Sequence, residues 1–133
     1  MPSLADSDAV KQANLGFYRA FESLDVHRMR AVWAQSEEIA CVHPGWPLLT
    51  GFERVMESWK RIFENTPMMQ FTITGVVVRV EGETAWVMCT ENINTLVDGK
   101  VAEAKVQATN VFTKRDGRWL VVHHHGSSLP PGA

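Results

Sequence analysis

The chain has 133 residues with 13 basic and 15 acidic side chains, so its net charge of -2 leaves no basic surface suited to nucleic acid or anionic lipid. Its length fits one domain over residues 1–133, with an ordered core of about 8–127, that buries roughly two thirds of the surface of the unfolded chain. No apolar run approaches the ~20 residues that cross a bilayer, and the amino-terminal residues carry no secretion signal, which together predict a cytoplasmic protein.

The first half of the chain has the apolar spacing of helices. Apolar residues recur at three and four positions over 8–24, which predicts an amphipathic helix. Asp25 precedes a second, shorter stripe and is its expected N-cap, because a carboxylate accepts the free backbone N–H groups there. A third stripe follows Thr50, whose spacing to Glu53 is that of a capping box. A brief strand over 39–42 and a proline-stiffened loop over 43–47 separate the second helix from the third.

The second half changes to β-branched runs. Four runs are separated by short glycine-containing turns, which predicts an antiparallel meander over 71–80, 84–97, 101–114 and 118–125. Helices that precede a sheet indicate an α+β domain, with three N-terminal helices packed on one face of a curved, mostly antiparallel sheet. The run over 84–97 is apolar on both sides, so we expect a second subunit to cover its outer face.

The last two runs predict the position of two histidines. The Asp-Gly pair at 116–117 favours a two-residue hairpin turn, because glycine takes the required positive φ without steric cost. With this turn, Asn110 lies opposite His123, and directly opposed residues project from the same side of the sheet. His125 is two residues further along, so we expect it on the same inner face.

The two cysteines and the terminal histidines lack the sequence spacing of a metal site. Cys41 and Cys89 lie in strand-like apolar surroundings without Cys-x-x-Cys spacing, which predicts buried thiols in the reduced state. No carboxylate or cysteine accompanies His123 and His125 at the spacing of metal ligands. No metal site is therefore predicted.

The element order and two motifs resemble a known superfamily. The motifs are His-Pro-Gly-Trp at 43–46 and Lys-Arg-Asp-Gly-Arg-Trp-Leu-Val-Val-His-His-His at 114–125. Over about 8–127 the chain resembles the SnoaL-like branch of the nuclear transport factor 2-like (NTF2-like) superfamily, and its final motif also looks like the association domain of calcium/calmodulin-dependent protein kinase II. The resemblance implies a cone closed at one end by helices, a pocket between the helices and the concave sheet face, and a homodimer packed through the outer sheet faces.

The candidate site follows from this implied pocket. Its expected wall combines polar and aromatic side chains: Tyr18, His43, Trp46, Trp59, Asn110, His123 and His125. His123 and His125 are the candidates for a general acid or base, because imidazole titrates near neutral pH, and the alternative is a core histidine with a satisfied hydrogen bond. The superfamily's isomerases and cyclases use a pocket carboxylate, for which Glu91 is the candidate. A two-residue turn at 98–99 places Glu91 inside, whereas a bulge would place Asn92 there.

Three functions are compatible with these residues. The first is binding of a small, largely apolar or aromatic molecule in the pocket. The second is isomerisation or dehydration at the same site, without a cofactor, with a histidine moving the proton and Asn110 stabilising a developing oxyanion. The third is a homo-oligomeric association module. The association domain has pocket arginines at the positions of Asn92 and Asn110, so these neutral amides argue against an anionic ligand.

Overall fold

A computed structural model describes residues 4–132, so the first three residues of the segment inspected for a secretion signal lie outside the described part. The described helices are α1 (Leu4–Ser23), α2 (Val26–Val32) and α3 (Phe52–Glu64). The strands are β1 (Ala40–Val42), β2 (Leu49–Thr50), β3 (Met69–Glu81), β4 (Thr84–Val97), β5 (Lys100–Arg115) and β6 (Arg118–Ser128). The predicted α+β class is confirmed, with the helices packed on one curved sheet.

The helix termini agree in part with the sequence predictions. α1 begins at Leu4 in the described chain, earlier than the predicted 8–24. Asp25 caps α2 as predicted, since its Oδ1 accepts the backbone N–H of His27 at 2.8 Å. The capping box before α3 is wrong, because Gly51 is the N-cap residue, without a side-chain hydrogen bond, and Thr50 lies in β2 instead. β2 was not predicted, and it adds a short antiparallel partner to β1.

The sheet has six strands in the order β2-β1-β6-β5-β4-β3. The predicted meander is confirmed, since β3 through β6 pair antiparallel in chain order. Both residues of the 116–117 turn have positive φ, 51° and 78°, as the predicted hairpin requires. β1 joins the sheet by pairing parallel with β6, which brings the loop after β1 against the end of the terminal strand.

The predicted register of His123 and His125 is wrong. The hairpin begins in the expected register, but β6 carries one extra residue, since Phe112 pairs with Val121 and Val111 with His123. A bulge of one residue reverses the alternation of all residues beyond it. His124 therefore lies opposite Asn110 on the inner face, while His123 and His125 lie on the outer face of the sheet.

The core lies between the helices and the inner face of the sheet. Its largest fully buried side chains are aromatic, and α1 and α3 contribute Phe17 and Trp59. Both cysteines are buried and free, as predicted. Among the described residues, no helix combines the length and apolar character that crossing a membrane requires.

Candidate functional site

A continuous chain of hydrogen-bonded polar side chains runs through the core. Tyr18 Oη lies 2.6 Å from Glu91 Oε2 and 3.1 Å from Asn110 Nδ2. Asn110 Oδ1 lies 2.6 Å from His124 Nδ1, and Asn110 Nδ2 also contacts Asn14 Oδ1 at 2.9 Å. All five side chains are buried, with Glu91 2 % and Asn110 0 % exposed. Buried polar groups in such number are retained only when they are hydrogen-bonded, and here they bond mainly to one another.

Four elements bring this polar chain together. Asn14 and Tyr18 are one helical turn apart on the buried face of α1, so both point at the sheet. Glu91 lies in β4, and the pairing of β4 with β5 continues without a register shift from the 98–99 turn to Asn110. The prediction that a two-residue turn places Glu91 inside is therefore confirmed. Asn92 projects to the other face, where its Nδ2 donates to the backbone oxygen of Thr72 at 2.9 Å.

The direction of each hydrogen bond in the chain follows from the amide of Asn110. Its Nδ2 donates both hydrogens, one to Asn14 Oδ1 and one to Tyr18 Oη. Its Oδ1 therefore accepts, and the partner must be a protonated Nδ1 of His124. Tyr18 accepts from Asn110 and donates its own hydrogen to Glu91 Oε2. The other oxygen of Glu91, Oε1, receives no hydrogen bond from the described residues.

Burial sets the protonation of these groups. It raises the pKa of Glu91 from 4.5 to about 7, and the hydrogen bond from Tyr18 opposes that rise only in part. It lowers the pKa of His124 from 6.5 to about 3, because the cation would lie in an apolar core beside other imidazoles. Desolvation and the nearby carboxyl group raise the pKa of Tyr18 far above its usual range. At neutral pH Glu91 is thus the one member of the chain that readily gains or loses a proton.

A second polar group lies beside this chain. His43 Nε2 is 2.8 Å from the Ser58 hydroxyl, which also contacts the backbone oxygen of Val55 at 2.6 Å. Burial lowers the pKa of His43 to about 4, so this imidazole is neutral near pH 7. Its ring packs edge-on against Trp46 and Trp59, with centroids 5.0 and 4.6 Å away. A surface cavity of about 390 Å³ lies on the solvent side, where Trp46 and Ser58 form part of its lining.

The inner face of the sheet is less completely buried beyond Glu91. Toward the free end of the 98–99 hairpin, the inward side chains of Phe71, Ile73 and Ile93 are only half-buried, and Ala104 is exposed. α1 reaches this end at Phe71, whose ring lies 4.5 Å from that of Phe21 and whose backbone N–H donates to Glu22 Oε2 at 2.8 Å. Between Glu91 and the hairpin tip the inward positions of β4 are Ile93 and Thr95, and Ile73 lies directly beside Glu91 on β3.

The structure brings together five of the seven predicted wall residues. Tyr18 and Asn110 are hydrogen-bonded, and His43, Trp46 and Trp59 form a connected ring cluster. His123 and His125 do not join them; their rings lie 6.0 Å apart on the outer face. The pocket role of these two residues is not supported by their position, because the β6 bulge turns them away from the interior.

Sequence reasoning missed Asn14, Ser58 and His124. Asn14 shares the apolar stripe of α1, and a polar residue there indicates a buried hydrogen-bonding partner. For His124 the sequence offers only the glycine at 126, and in the structure an added Cβ there would lie 2.9 Å from Val106 Cγ1. A glycine that allows such close approach belongs to the packed inner face, and His124 lies two residues before it on the same side.

Comparison with known proteins identifies the family. A family model described as a SnoaL-like domain matches residues 10–131 of the chain. The chain belongs to the SnoaL-like family. The resemblance to the NTF2-like superfamily, predicted from the sequence, is thereby confirmed.

Relatives of this SnoaL-like protein carry different names. It is 30 % identical over 125 residues to the F-box protein SKIP8 of Arabidopsis thaliana. This match covers 94 % of the chain but 52 % of the relative, so the chain spans about half the length of that protein. It is 38 % identical to a proposed dehydratase of the NTF2-like family from Streptomyces avermitilis, with a TM-score of 0.88 over 95 % and 97 % of the two chains. It is 28 % identical to a proposed calcium/calmodulin-dependent protein kinase type II association domain from Thiobacillus denitrificans, with a TM-score of 0.82 over 90 % and 94 %.

Proposed function

We propose that the protein binds a small, neutral, largely apolar molecule against the concave face and moves a proton on it with Glu91, as an isomerase or a dehydratase does. One observation carries this proposal. Glu91 is buried on the inner face, Tyr18 donates to its Oε2, its Oε1 receives no hydrogen bond from the described residues, and the neighbouring Ile73 and Ile93 are only half-buried.

The protonation of Glu91 suits this chemistry. A catalytic acid or base works best when its pKa lies near the operating pH, and burial brings the pKa of Glu91 to about 7. The carboxylate would remove a proton from a carbon next to a carbonyl group. In an isomerisation the same carboxyl group returns that proton to another carbon of the ligand. In a dehydration a C–O bond breaks instead, and the departing oxygen leaves as water after taking up a proton.

The charge of the interior supports a neutral ligand. A buried carboxylate or phosphate of a ligand would need a cation beside it, since an unpaired charge is costly in an apolar core. No lysine or arginine is fully buried in the described chain. The buried polar residues are Asn14, His43, Ser58, Glu91, Asn110 and His124.

The comparisons support the same reaction class. The Streptomyces avermitilis protein, which covers nearly the whole chain at 38 % identity, is named as a proposed dehydratase. Our proposal moves the general base from His123 or His125 to Glu91. Those histidines lie on the other face of the sheet, and the inward His124 is held neutral by burial.

The exchange of carbon-bound hydrogen tests the proposal without knowledge of the natural ligand. 2-Tetralone is a neutral aromatic ketone, and its exchange of α-hydrogen for deuterium in D2O is followed by proton NMR. We expect the wild-type protein to accelerate exchange with a rate that rises through an apparent pKa near 7. Glu91→Gln keeps an acceptor for Tyr18 but no base, so it should lose about 100-fold or more of the acceleration.

The matched control is His123→Gln, which changes an imidazole on the outer face. It should exchange 2-tetralone like the wild type. Equal rates in the wild type and in the folded Glu91→Gln variant would refute the role of Glu91, as would a loss confined to the His123 variant.

A second candidate function is an association module, and the outer face of the sheet favours it. Val77 is 37 % exposed there, next to the half-buried Trp86, Met88 and Val111. The Thiobacillus denitrificans relative named as a proposed association domain supports self-assembly. We expect a homodimer in sedimentation velocity at micromolar concentration, weakened by Val77→Lys. A monomeric wild type would refute this candidate and would leave the Glu91 proposal standing.

A further inference from the structure

The end of α2 and the β5–β6 hairpin border a surface cavity of about 580 Å³. The segment after α2 forms one side of it, because Ala34 donates its backbone N–H to the backbone oxygen of Val121 at 2.9 Å and so lies alongside β6. The charged residues that line the cavity are Arg30, Arg115, Asp116 and Arg118, and its apolar lining includes Trp33 and Leu120. The cavity is therefore basic, although the chain as a whole carries a net charge of -2.

Two of these arginines lie directly opposite each other. Arg115 and Arg118 are Cα partners where β5 pairs with β6 beside the 116–117 turn. Like charges at directly opposed positions destabilise an antiparallel strand pair. Among the described residues the Arg115 guanidinium has no hydrogen bond and no ion pair, and Asp116 pairs with neither arginine. The repulsion is thus unrelieved in the ligand-free protein, and a bound anion would remove it.

The other contacts of the arginines hold two guanidinium groups in place. Arg118 Nη2 donates to the backbone oxygen of Ala31 at 3.1 Å, which brings this hairpin side chain to the end of α2. Arg30 Cζ lies 4.9 Å from the ring centroid of Phe52, and its Nη2 is 3.3 Å from Glu53 Oε1. A guanidinium has several N–H donors, so both groups retain donors for a ligand. Side chains that are already positioned lose less conformational entropy when they bind.

We propose that this arginine cavity binds a small organic phosphate. Guanidinium groups pair with phosphate oxygens in bidentate geometry, and a phosphate monoester carries about two negative charges at pH 7, which suits three cationic side chains. Trp33 and Leu120 offer apolar surface to the body of the ligand. The volume also lies within the ~300–1,000 Å³ typical of small-molecule sites.

The arginine cavity is separate from the site of the proposed function. Glu91 lies on the inner face of β4, and no member of the buried polar chain lines this cavity. The phosphate group would remain at the protein surface, so no charge enters the apolar core. The inference therefore does not depend on proton transfer by Glu91.

Phenyl phosphate is a suitable probe, because it joins a phosphate monoester to one aromatic ring. Isothermal titration calorimetry on the whole wild-type chain at pH 7 should show that it binds about tenfold or more tightly than phenol, which has no charge, and than inorganic phosphate, which has no ring. Its affinity should fall as the ionic strength rises. An absence of binding, or equal affinity for phenol or inorganic phosphate, would overturn the proposal.

Charge variants locate the site. Arg115→Gln and Arg118→Gln each remove one guanidinium and should weaken the binding of phenyl phosphate by about tenfold or more. Asp116→Asn removes the carboxylate of the cavity, keeps a residue that tolerates the positive φ of 51°, and should strengthen binding. Exposed Arg19→Gln on α1 makes the same change in net charge and should bind like the wild type. Equal losses in Arg19→Gln and Arg115→Gln would reduce the effect to net charge and would refute the site.

Thermal stability separates binding from a structural role of Arg115. Because Arg115 opposes Arg118 and has no partner among the described residues, Arg115→Gln should leave the Tm of the ligand-free protein unchanged or raise it. Phenyl phosphate should raise the Tm of the wild type but hardly that of the variant. A lower Tm in ligand-free Arg115→Gln would show that this side chain stabilises the fold and would contradict the unrelieved repulsion.

The two proposals fail in different ways. Arg115→Gln should exchange the α-hydrogen of 2-tetralone like the wild type. If the wild type binds phenyl phosphate with the expected loss in Arg115→Gln but does not accelerate exchange, the catalytic role fails and the arginine cavity stands. If exchange depends on Glu91 but phenyl phosphate does not bind, the arginine cavity is refuted and the proposed function stands.

Discussion

Replacing Glu91 by glutamine should stabilise the protein in a pH-dependent way. The unfolded chain ionises this carboxyl group near its ordinary pKa of 4.5, whereas the folded protein does so at about 7. Below pH 4.5 the carboxyl group is protonated in both the folded and the unfolded state, so its burial does not lower the free energy of unfolding. As pH rises, the unfolded state loses its proton first, and the free energy of unfolding falls by about 1.4 kcal/mol per pH unit until it has lost about 3 kcal/mol above pH 7.

Glutamine does not titrate and still accepts the hydrogen bond of Tyr18. The stability of Glu91→Gln relative to the wild type should therefore increase by about 2–3 kcal/mol between pH 5 and pH 8. Urea denaturation of both proteins at several pH values measures this difference directly, and contributions from the histidines cancel between them. A difference that stays constant with pH would mean that Glu91 ionises as in the unfolded chain, and the buried-carboxyl reasoning would be refuted.

Three further changes have expected outcomes. Tyr18→Phe removes the hydrogen-bond donor to Glu91, so the pKa of that carboxyl group should rise further, which carboxyl ¹³C NMR would measure. Calorimetry should show that the variant loses about 1–3 kcal/mol of its free energy of unfolding. Burial lowers the pKa of folded His124 to about 3, so the stability that its neutral form contributes is present above pH 6.5 and is lost as the pH falls below it. In urea denaturation, His124→Gln should therefore reduce the fall in the free energy of unfolding with decreasing pH by up to about 1.4 kcal/mol per pH unit. Exposed His27→Gln is the control, and an unchanged pH dependence in His124→Gln would contradict the burial of His124. Gly126→Ala places a Cβ 2.9 Å from a valine methyl of β5 and should lower the free energy of unfolding by about 1–3 kcal/mol, whereas no loss would place Gly126 outside the packed face.

The fold could be predicted because its signals are local and repeated. The 8–24 stripe, the Asp25 cap and the Gly-containing turns each depend on residues close in sequence, and each element formed near its expected position. Glu91 was also placed correctly on the inner face, because the 98–99 turn continues into β4 and β5 without a register shift. Where the alternation of a strand is unbroken, the turn alone determines which side chains point inward.

The site was less predictable because one inserted residue in β6 reverses its histidines. Val122 is neither a glycine nor a residue with positive φ, so nothing in the local sequence marks the bulge, and the regular register favoured His123. The missing information is long-range. Asn110 hydrogen-bonds both His124 and the α1 residues Asn14 and Tyr18, and single-sequence periodicity does not report such tertiary contacts.

Titration of the Glu91 carboxyl group by ¹³C NMR tests most directly whether this buried group ionises near neutral pH. Selective labelling of glutamate, with Glu91→Gln to assign the signal, follows this one group in the folded protein. The hydrogen-bonded, buried position predicts a midpoint near pH 7, well above the ordinary 4.5. A midpoint at the ordinary value would place the carboxylate in water and would contradict both the buried acid–base group and the function built on it.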